Sequence, residues 1–266
     1  MSELDVQIEG IGFWAPGWPA WEARCAGLRR GDAPAADAPA RPLPALLPAA
    51  ERRRAPDPVL VACEVASQAC EAAGRDAHEL ASVFGSTHGD LVITDYMCET
   101  LARAPRELSP IRFHNSVHNA PAGYWTIAAQ CHAASTSLSG WHASFAMLLL
   151  EAAVQAIATR EPVLMVAYDT ESRGPLVEVS PSTPTFGVAL VLAPTREGVE
   201  LPRLRIGMAD HAAHAAVALP RAFGALAAGN PMARSALPFL TALVSDVATA
   251  IDLPASAQTS LHVEFS

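Results

Sequence analysis

The spacing of hydrophobic and polar residues predicts strands and helices in alternation. Alternating or fully apolar runs favour strands at 6–14, 82–84, 163–168, 184–192 and 261–265. Longer runs bounded by proline or glycine favour helices at 59–73, 93–103, 121–130, 138–159 and 232–251. This order is typical of an α/β protein with a mixed, mostly parallel sheet flanked by helices and a terminal antiparallel pair. The Pro/Ala-rich segment 32–50 is predicted to be a loop.

The longest predicted helix, 138–159, is apolar on almost every face. Glu151 is its only charged residue, whereas a surface helix normally carries a polar face. A single sheet covers one side of a helix, so the other side needs a second sheet or a second subunit. We therefore expect a layered core that is completed by oligomerisation.

Composition narrows the classes of function. Charged residues are 17% of the 266, below the roughly 25% of an average domain, which indicates either a surface buried against another subunit or simply an alanine-rich composition. The net charge of −9 argues against a nucleic-acid partner. Five cysteines without metal-type spacing predict reduced thiols and a cytoplasmic protein. No signal peptide and no membrane span of about 20 apolar residues are expected.

A hydroxyl-rich turn before the apolar helix contains Ser137, Ser139 and Gly140. Several acyl-transfer enzymes hold a nucleophile in such a turn, but a serine hydroxyl needs an adjacent base. The Gly-x-Ser-x-Gly elbow of hydrolases is absent. At the head of a helix, Ser137 is alternatively a cap for free N–H groups, and those amides are suited to binding a carbonyl or carboxylate oxygen.

Two histidine–asparagine pairs lie four residues apart, His114-Asn115 and His118-Asn119. Helical spacing makes the two histidines candidate metal ligands. However, no Glu follows the first histidine, no third ligand is evident, and Pro121 argues against a helix here. We therefore expect these four side chains to line a pocket or an interface, and we expect no metal.

Three further side chains near the serine turn leave alternatives open. His142 flanks the turn, within reach of a pocket or interface. Phe145 belongs either to the core or to the lining of a tunnel beside it. Cys131 is either a buried, small apolar residue or a displaced nucleophile.

Four segments, in order along the chain, resemble the N-terminal half of a β-ketoacyl synthase, a condensing enzyme of the thiolase fold. They are Val-Phe-Gly-Ser-Thr-His-Gly at 83–89, Phe-His-Asn-Ser-Val-His-Asn-Ala-Pro-Ala-Gly at 113–123, Ser-Thr-Ser-Leu-Ser-Gly at 135–140, and the strand at 163–171. The resemblance extends over about residues 6–194. It implies one thiolase-like domain over 1–266 with a short extension at 195–266.

Two departures from the family pattern bear on activity. Active members carry a cysteine nucleophile, and Ser137 takes its place in the alignment of the turn. Their C-terminal half supplies two histidines, or a histidine and an asparagine, and only the short segment 195–266 follows here.

A short chain without the cysteine resembles the chain-length-factor-like subunits of aryl polyene and xanthomonadin type II polyketide systems. The resemblance implies a non-catalytic subunit that pairs with an active ketosynthase, shapes the acyl tunnel, meets acyl carrier protein through the complex and needs no cofactor. Ser137, Ser139, Gly140, His114, Asn115, His118, Asn119, His142 and Phe145 would then line the tunnel or the interface. The alternatives are a Ser137-dependent acyltransferase or thioesterase, and a homodimeric acyl-binding scaffold.

Overall fold

One eight-stranded sheet forms the centre of the protein in a computed structural model that describes residues 3–22, 25, 37–210, 217–245 and 250–266. The strands are β1 Leu4–Trp14, β2 Ala81–Gly85, β3 Ser135–Leu138, β4 Val163–Asp169, β5 Phe186–Pro194, β6 Arg203–Asp210, β7 Ala250–Pro254 and β8 Thr259–Phe265. The α-helices delimited in these residues are α1 Ala49–Arg54, α2 Asp57–Ala73, α3 Leu91–Arg103, α4 Pro110–Asn115, α5 Ala120–Ala128, α6 Ser144–Thr159, α7 Leu176–Val179, α8 Arg221–Gly229 and α9 Pro231–Leu243. Across the sheet the order is β3–β2–β4–β5–β1–β6–β8–β7.

Most neighbouring strands are antiparallel, which corrects the predicted mostly parallel sheet. Among the described strands, β2 runs parallel to β3 and β4, and the other five pairs are antiparallel. The fully apolar strands β4 and β5 explain the error, because such runs are typical of parallel strands that helices cover on both faces. Helices cover both faces of this sheet too. However, β5 runs antiparallel to β4, with Ala167 opposite Val188. The α/β class is confirmed.

Two apolar layers, one on each face of the sheet, give the fold its core. On one face α2 crosses β1 so closely that a side chain at Gly12 would collide with the backbone of Val65. On the other face α6 and α9 pack on the sheet. Successive residues of β4 point to opposite layers, Met165 to the second and Val166 to the first. The layers therefore run helix, sheet, helix.

Helix α6 is buried on the sheet side and partly open on the other, although the sequence predicted burial on all sides. Leu148 and Ala152 are fully buried, whereas Val154 is 42% exposed. With the preceding turn, Trp141–Thr159 is the one described helix long and apolar enough to cross a membrane. That evidence is weak, because only length and composition support it and the buried core helices of soluble proteins share both properties. The cover that a second subunit would give α6 stays a prediction.

The predicted elements agree with the structure better in the first two thirds of the chain than near its end. Helix α2 is confirmed and ends at Gly74, whose φ of 60° suits glycine. The predicted helix 232–251 is too long, because α9 ends at Leu243 and β7 pairs with β8. Strand β6 and helix α8 were not predicted. Segment 195–266 thus adds three strands to the main sheet, while residues 32–36 of the predicted loop lie outside the described residues.

Candidate functional site

Strand β3 contains Ser137, the predicted nucleophile position. It lies at the edge of the sheet and pairs with β2, where Ser137 is opposite Phe84. The expectation that Ser137 heads the long helix is wrong, because β3 continues to Leu138 and α6 begins only at Ser144. A short 3-10 turn, Trp141–Ala143, separates them. Leu138 packs on the core, so a contact distant in sequence fixes this strand.

An open groove, the β3 groove, lies between β3 and α5 and is lined by His118, Asn119, Ala122, Gly123, Thr126, Ser135 and Ser137. Its volume is about 480 Å³. Three of the predicted site residues, Ser137, His118 and Asn119, are therefore brought together as a pocket lining. Among the described residues, no hydrogen bond joins the Ser137 hydroxyl to either of the other two side chains.

The turn between β3 and α6 is held by its own hydroxyl groups. The hydroxyl of Ser139 donates to the carbonyl oxygen of Thr87 at 2.8 Å, which ties this turn to the one after β2. Gly140 N–H donates to Ser144 Oγ at 3.0 Å, and Ser144 Oγ donates to the carbonyl oxygen of Trp141 at 2.7 Å. Ser144, the first residue of α6, is buried. Its hydroxyl therefore stabilises the turn through both of these hydrogen bonds.

Three aromatic rings cluster on the outside of this turn. Trp141 has a φ of 54°, which is unfavourable for a bulky residue, and its side chain is largely exposed. Its ring lies 4.6 Å from that of His88 and 5.1 Å from that of His142, between ring centres. Burial lowers the pKa of His88, and His142 lowers it further. The predicted residue His142 therefore belongs to this surface cluster and does not line the β3 groove.

The two histidine–asparagine pairs are separated by the end of α4. Because this helix ends at Asn115, His114 and His118 do not share a helical face. His114 is exposed and lines a second groove, the α1–α5 groove, which has a volume of about 590 Å³ and mainly apolar walls that include Leu46, Leu47, Tyr124 and Ile127. Asn115 is buried and accepts a hydrogen bond from the Tyr124 hydroxyl at 3.3 Å. No cluster of three or more metal-ligating side chains occurs in the described parts of the chain.

Phe145 and Cys131 lie away from both grooves. Phe145 is buried in the core, with its ring 5.4 Å from that of Phe239, which corrects its assignment to a tunnel or interface. Cys131 is buried, and its thiol lies 3.4 Å from the carbonyl oxygen of Leu80, before the start of β2. The serine turn lies at the other end of these parallel strands, so the geometry does not support Cys131 as a displaced nucleophile.

A buried carboxylate at the end of β4 was missed by the sequence reasoning. Asp169 accepts hydrogen bonds from Thr87 N–H at 2.8 Å, Thr87 Oγ1 at 2.6 Å and Met232 N–H at 3.0 Å. Burial raises its pKa to about 6, although these hydrogen bonds oppose the shift. Asn230 caps α9 and donates to the carbonyl oxygens of Asp169 (3.3 Å) and Pro184 (2.8 Å). The Asn-Pro pair at 230–231 was the sequence signal for this cap.

The chain matches the family model described as "Beta-ketoacyl synthase, N-terminal domain" over residues 18–250. It therefore belongs to this family. No curated protein matches it significantly.

Solved structures of similar fold include ketosynthase assemblies. A ketosynthase (ApeO) in complex with its chain length factor (ApeC) from Xenorhabdus doucetiae gives a TM-score of 0.72 at 23% identity, covering 98% of this chain and 99% of the matched one. The ishigamide ketosynthase/chain length factor gives 0.66 at 17%, with the same coverages. AntDE:AntF, a type II PKS acyl-carrier protein with its ketosynthase bound to the hexaketide, gives 0.72 at 12%, covering 100% and 99%. These likenesses establish the thiolase-like ketosynthase fold.

Proposed function

We propose that this chain is a non-catalytic, ketosynthase-like subunit that acts as a chain length factor for an active β-ketoacyl synthase in type II polyketide synthesis of the aryl polyene kind. The observation that carries the proposal is the head of α6. Active family members that the sequence resembles hold a cysteine in the turn before this helix, whereas here Ser137 takes that place and lies on β3, and the Ser144 hydroxyl at the start of the helix is hydrogen-bonded within the turn. The chemistry would belong to the partner.

The edge of the sheet supports a partner subunit. Ser82 N–H donates to the carbonyl oxygen of Ala134, and in a parallel pair the bonded residues alternate, so Ser135 and Ser137 turn their backbone N–H and C=O groups outward. These groups have no backbone partner among the described residues, and unpaired edge groups are a template for another strand. We infer that the partner's strand adds at β3.

Exposed apolar side chains on α5 and just before it also support a partner subunit. Ile127 on α5 is 80% exposed, and Phe113 and Val117 just before it are about half exposed. Val117 and Ile127 both line the α1–α5 groove, and clustered exposed apolar residues mark interaction surfaces more often than isolated ones do. A ketosynthase seated there would cover α5 together with β3.

The α1–α5 groove supports a role in shaping an acyl tunnel. Its volume of about 590 Å³ lies within the range of small-molecule sites, and its walls are mainly apolar. The β3 groove adjoins it, because Asn119 and Gly123 line both. Closed by a partner, the two grooves would bound the path of a growing chain, with His114, His118, Asn119 and Ser137 at its wall.

Acyl carrier protein would meet this subunit through the complex. Carrier proteins are acidic, and this chain has a net charge of −9, so we place the basic docking surface on the ketosynthase. Cys63, Cys70, Cys98 and Cys131 form no disulfide in the described part of the chain, which supports a reducing, cytoplasmic location.

Co-purification tests the proposal. A tagged form of this chain is expressed with a full-length ketosynthase of the same organism, and the complex is examined by size-exclusion chromatography with light scattering. We expect a one-to-one complex. A homodimer that leaves the ketosynthase free supports the acyl-binding scaffold instead, and a stable monomer at micromolar concentration contradicts any subunit role.

One observation favours a second function, a Ser137-dependent acyltransferase or thioesterase. Ser137 and His118 line the same groove, so a hydroxyl and a potential base share one pocket. Intact-mass analysis after incubation with an acyl thioester separates the two functions. The subunit role predicts no acyl adduct, whereas an adduct that Ser137→Ala abolishes supports the enzyme.

A further inference from the structure

A small cavity adjoins the β3 groove, because His118 lines both. Its walls come from the start of α2, the turn at Gly89, the segment between α4 and α5, and the end of β4. Most of this lining is apolar. The polar side chains in it are Tyr168, His118, Asp90 and Asn115.

Two polar atoms in the walls of this cavity are buried without a hydrogen-bond partner among the described residues. They are Oη of Tyr168, a side chain that is 1% exposed, and Nε2 of His118. Burial raises the pKa of Tyr168, so its hydroxyl stays neutral and able to donate. The neighbouring hydroxyl of Ser86, which accepts a hydrogen bond from Gly89 N–H at 2.6 Å, opposes this shift but makes no bond of full geometry with Tyr168 Oη. Buried polar groups are normally satisfied, so both atoms indicate a bound species.

The size of the cavity defines that species. The space open to the centre of a water-sized sphere is about 10 Å³, which is the room that a single water molecule needs. The polar side chains of the lining suit water as well, because they offer both hydrogen-bond donors and an acceptor. Tyr168 donates, and Asp90 accepts through its carboxylate, one oxygen of which already caps α3 by accepting from Ile93 N–H at 2.9 Å.

We propose that one ordered water occupies this cavity, accepts hydrogen bonds from Tyr168 Oη–H and His118 Nε2–H, and donates to the Asp90 carboxylate. The water would fix His118 as the tautomer that carries its proton on Nε2, leaving Nδ1 as the acceptor of the ring. The same ring lines the β3 groove. His118 is therefore a positioning residue, because the water in the cavity fixes the orientation of its ring. The site needs no partner subunit, so this proposal does not depend on the proposed function.

Long-range ¹H–¹⁵N spectra of the ¹⁵N-labelled full chain at pH 8 test the proposal, because they distinguish the two tautomers of a neutral histidine. The chain has nine histidines, and the signals lost in His118→Gln identify the relevant ring. We expect His118 to be protonated on Nε2. Protonation on Nδ1 overturns the proposal.

A crystal structure of the wild-type chain at about 1.5 Å resolution supplies the second measurement. We expect a water peak within hydrogen-bond distance of Tyr168 Oη, His118 Nε2 and Asp90. An empty cavity, or a His118 ring turned so that Nε2 faces the groove, overturns the proposal. Tyr168→Phe should lose the peak and the single tautomer, while Tyr96→Phe, a phenol outside the cavity, should keep both.

Discussion

Thr87 and Asp169 are joined by two hydrogen bonds, from the backbone N–H at 2.8 Å and from the side-chain hydroxyl at 2.6 Å. The first residue lies in the turn after β2 and the second ends β4. Because Ser139 donates to the carbonyl oxygen of Thr87, the same turn also holds the serine turn before α6. The Asp169 carboxylate therefore holds together the turns that would frame a nucleophile in a ketosynthase.

Removing the Thr87 hydroxyl should destabilise the fold. In Thr87→Val the buried Asp169 carboxylate loses one of its three hydrogen bonds, and we expect a loss of about 2 kcal/mol in the free energy of unfolding. Urea unfolding followed by circular dichroism measures it. Thr159→Val is the control, because that hydroxyl is exposed, donates to the carbonyl oxygen of Gln155 and accepts from Glu161 N–H only at 3.3 Å, so its loss should cost less than about 0.5 kcal/mol. Equal losses in the two variants would contradict this role of Thr87.

The raised pKa of Asp169 should appear as a pH dependence of stability. A carboxyl whose folded pKa, about 6, exceeds its ordinary 3.8 contributes stability below 3.8 and loses it as the pH rises through about 6. The stability of the wild type relative to Asp169→Asn should therefore fall between pH 4 and 7, with a slope of at most about 1.4 kcal/mol per pH unit. Unfolding curves of both proteins at matched pH values measure it. A difference that rises with pH contradicts the assignment.

The ion pair between Glu9 and Arg75 should matter more than pairs on the open surface. It is bidentate, with N–O distances of 2.7 and 2.8 Å, and the Glu9 side chain is 8% exposed. We expect Arg75→Met to cost about 2 kcal/mol, and Arg103→Met, in an exposed pair with Glu99, less than about 0.5. Thermal and urea unfolding give the comparison.

The same pair sets a second pH dependence, of opposite sign. The hydrogen bonds from Arg75 are the main cause that lowers the pKa of Glu9, so the stability they contribute is present above the ordinary pKa of Glu9 and is lost as the pH falls through the lowered value. The gap between wild type and Arg75→Met should therefore shrink in acid. A gap that stays constant down to pH 3 counts against this origin.

Proline at the sheet edge should block the partner without unfolding the chain. Ser137 turns its N–H outward, so Ser137→Pro removes a donor that a partner strand would use while keeping the pairing of β3 with β2. We expect loss of the ketosynthase complex, with the circular dichroism spectrum unchanged. Ser137→Ala keeps the N–H and removes only the hydroxyl, so it should retain the complex. If both variants bind equally well, the partner does not add at β3.

Local patterns predicted the elements that local interactions define. Helix α2 has a proline start, an apolar face and a glycine end, and β4 is an apolar run between polar segments, so both were found. The predicted helix 232–251 extended into the first two residues of β7, because only the pairing of β7 with β8, brought about by the fold, makes it a strand. Ser137 was placed at a helix head for the same reason, since the pairing of β3 with Phe84 and its neighbours is non-local.

The site was predictable in part. The repeated His-Asn pattern and the serine turn indicated Ser137, His118 and Asn119, which share the β3 groove. Sequence patterns could not place His114 in a different groove from His118, because the end of α4 separates the two. Asp169 was hidden at the end of an apolar strand, and only the folded chain brings Thr87 and Met232 to its carboxylate.

A condensation assay tests the central claim most directly. The partner ketosynthase is supplied with malonyl and starter groups on carrier protein. This chain is present, absent, or replaced by its Ser137→Ala variant. The non-catalytic role predicts that full-length product needs this chain but not the Ser137 hydroxyl. Full activity of the ketosynthase alone, or loss of product with Ser137→Ala while the complex stays intact, would contradict it.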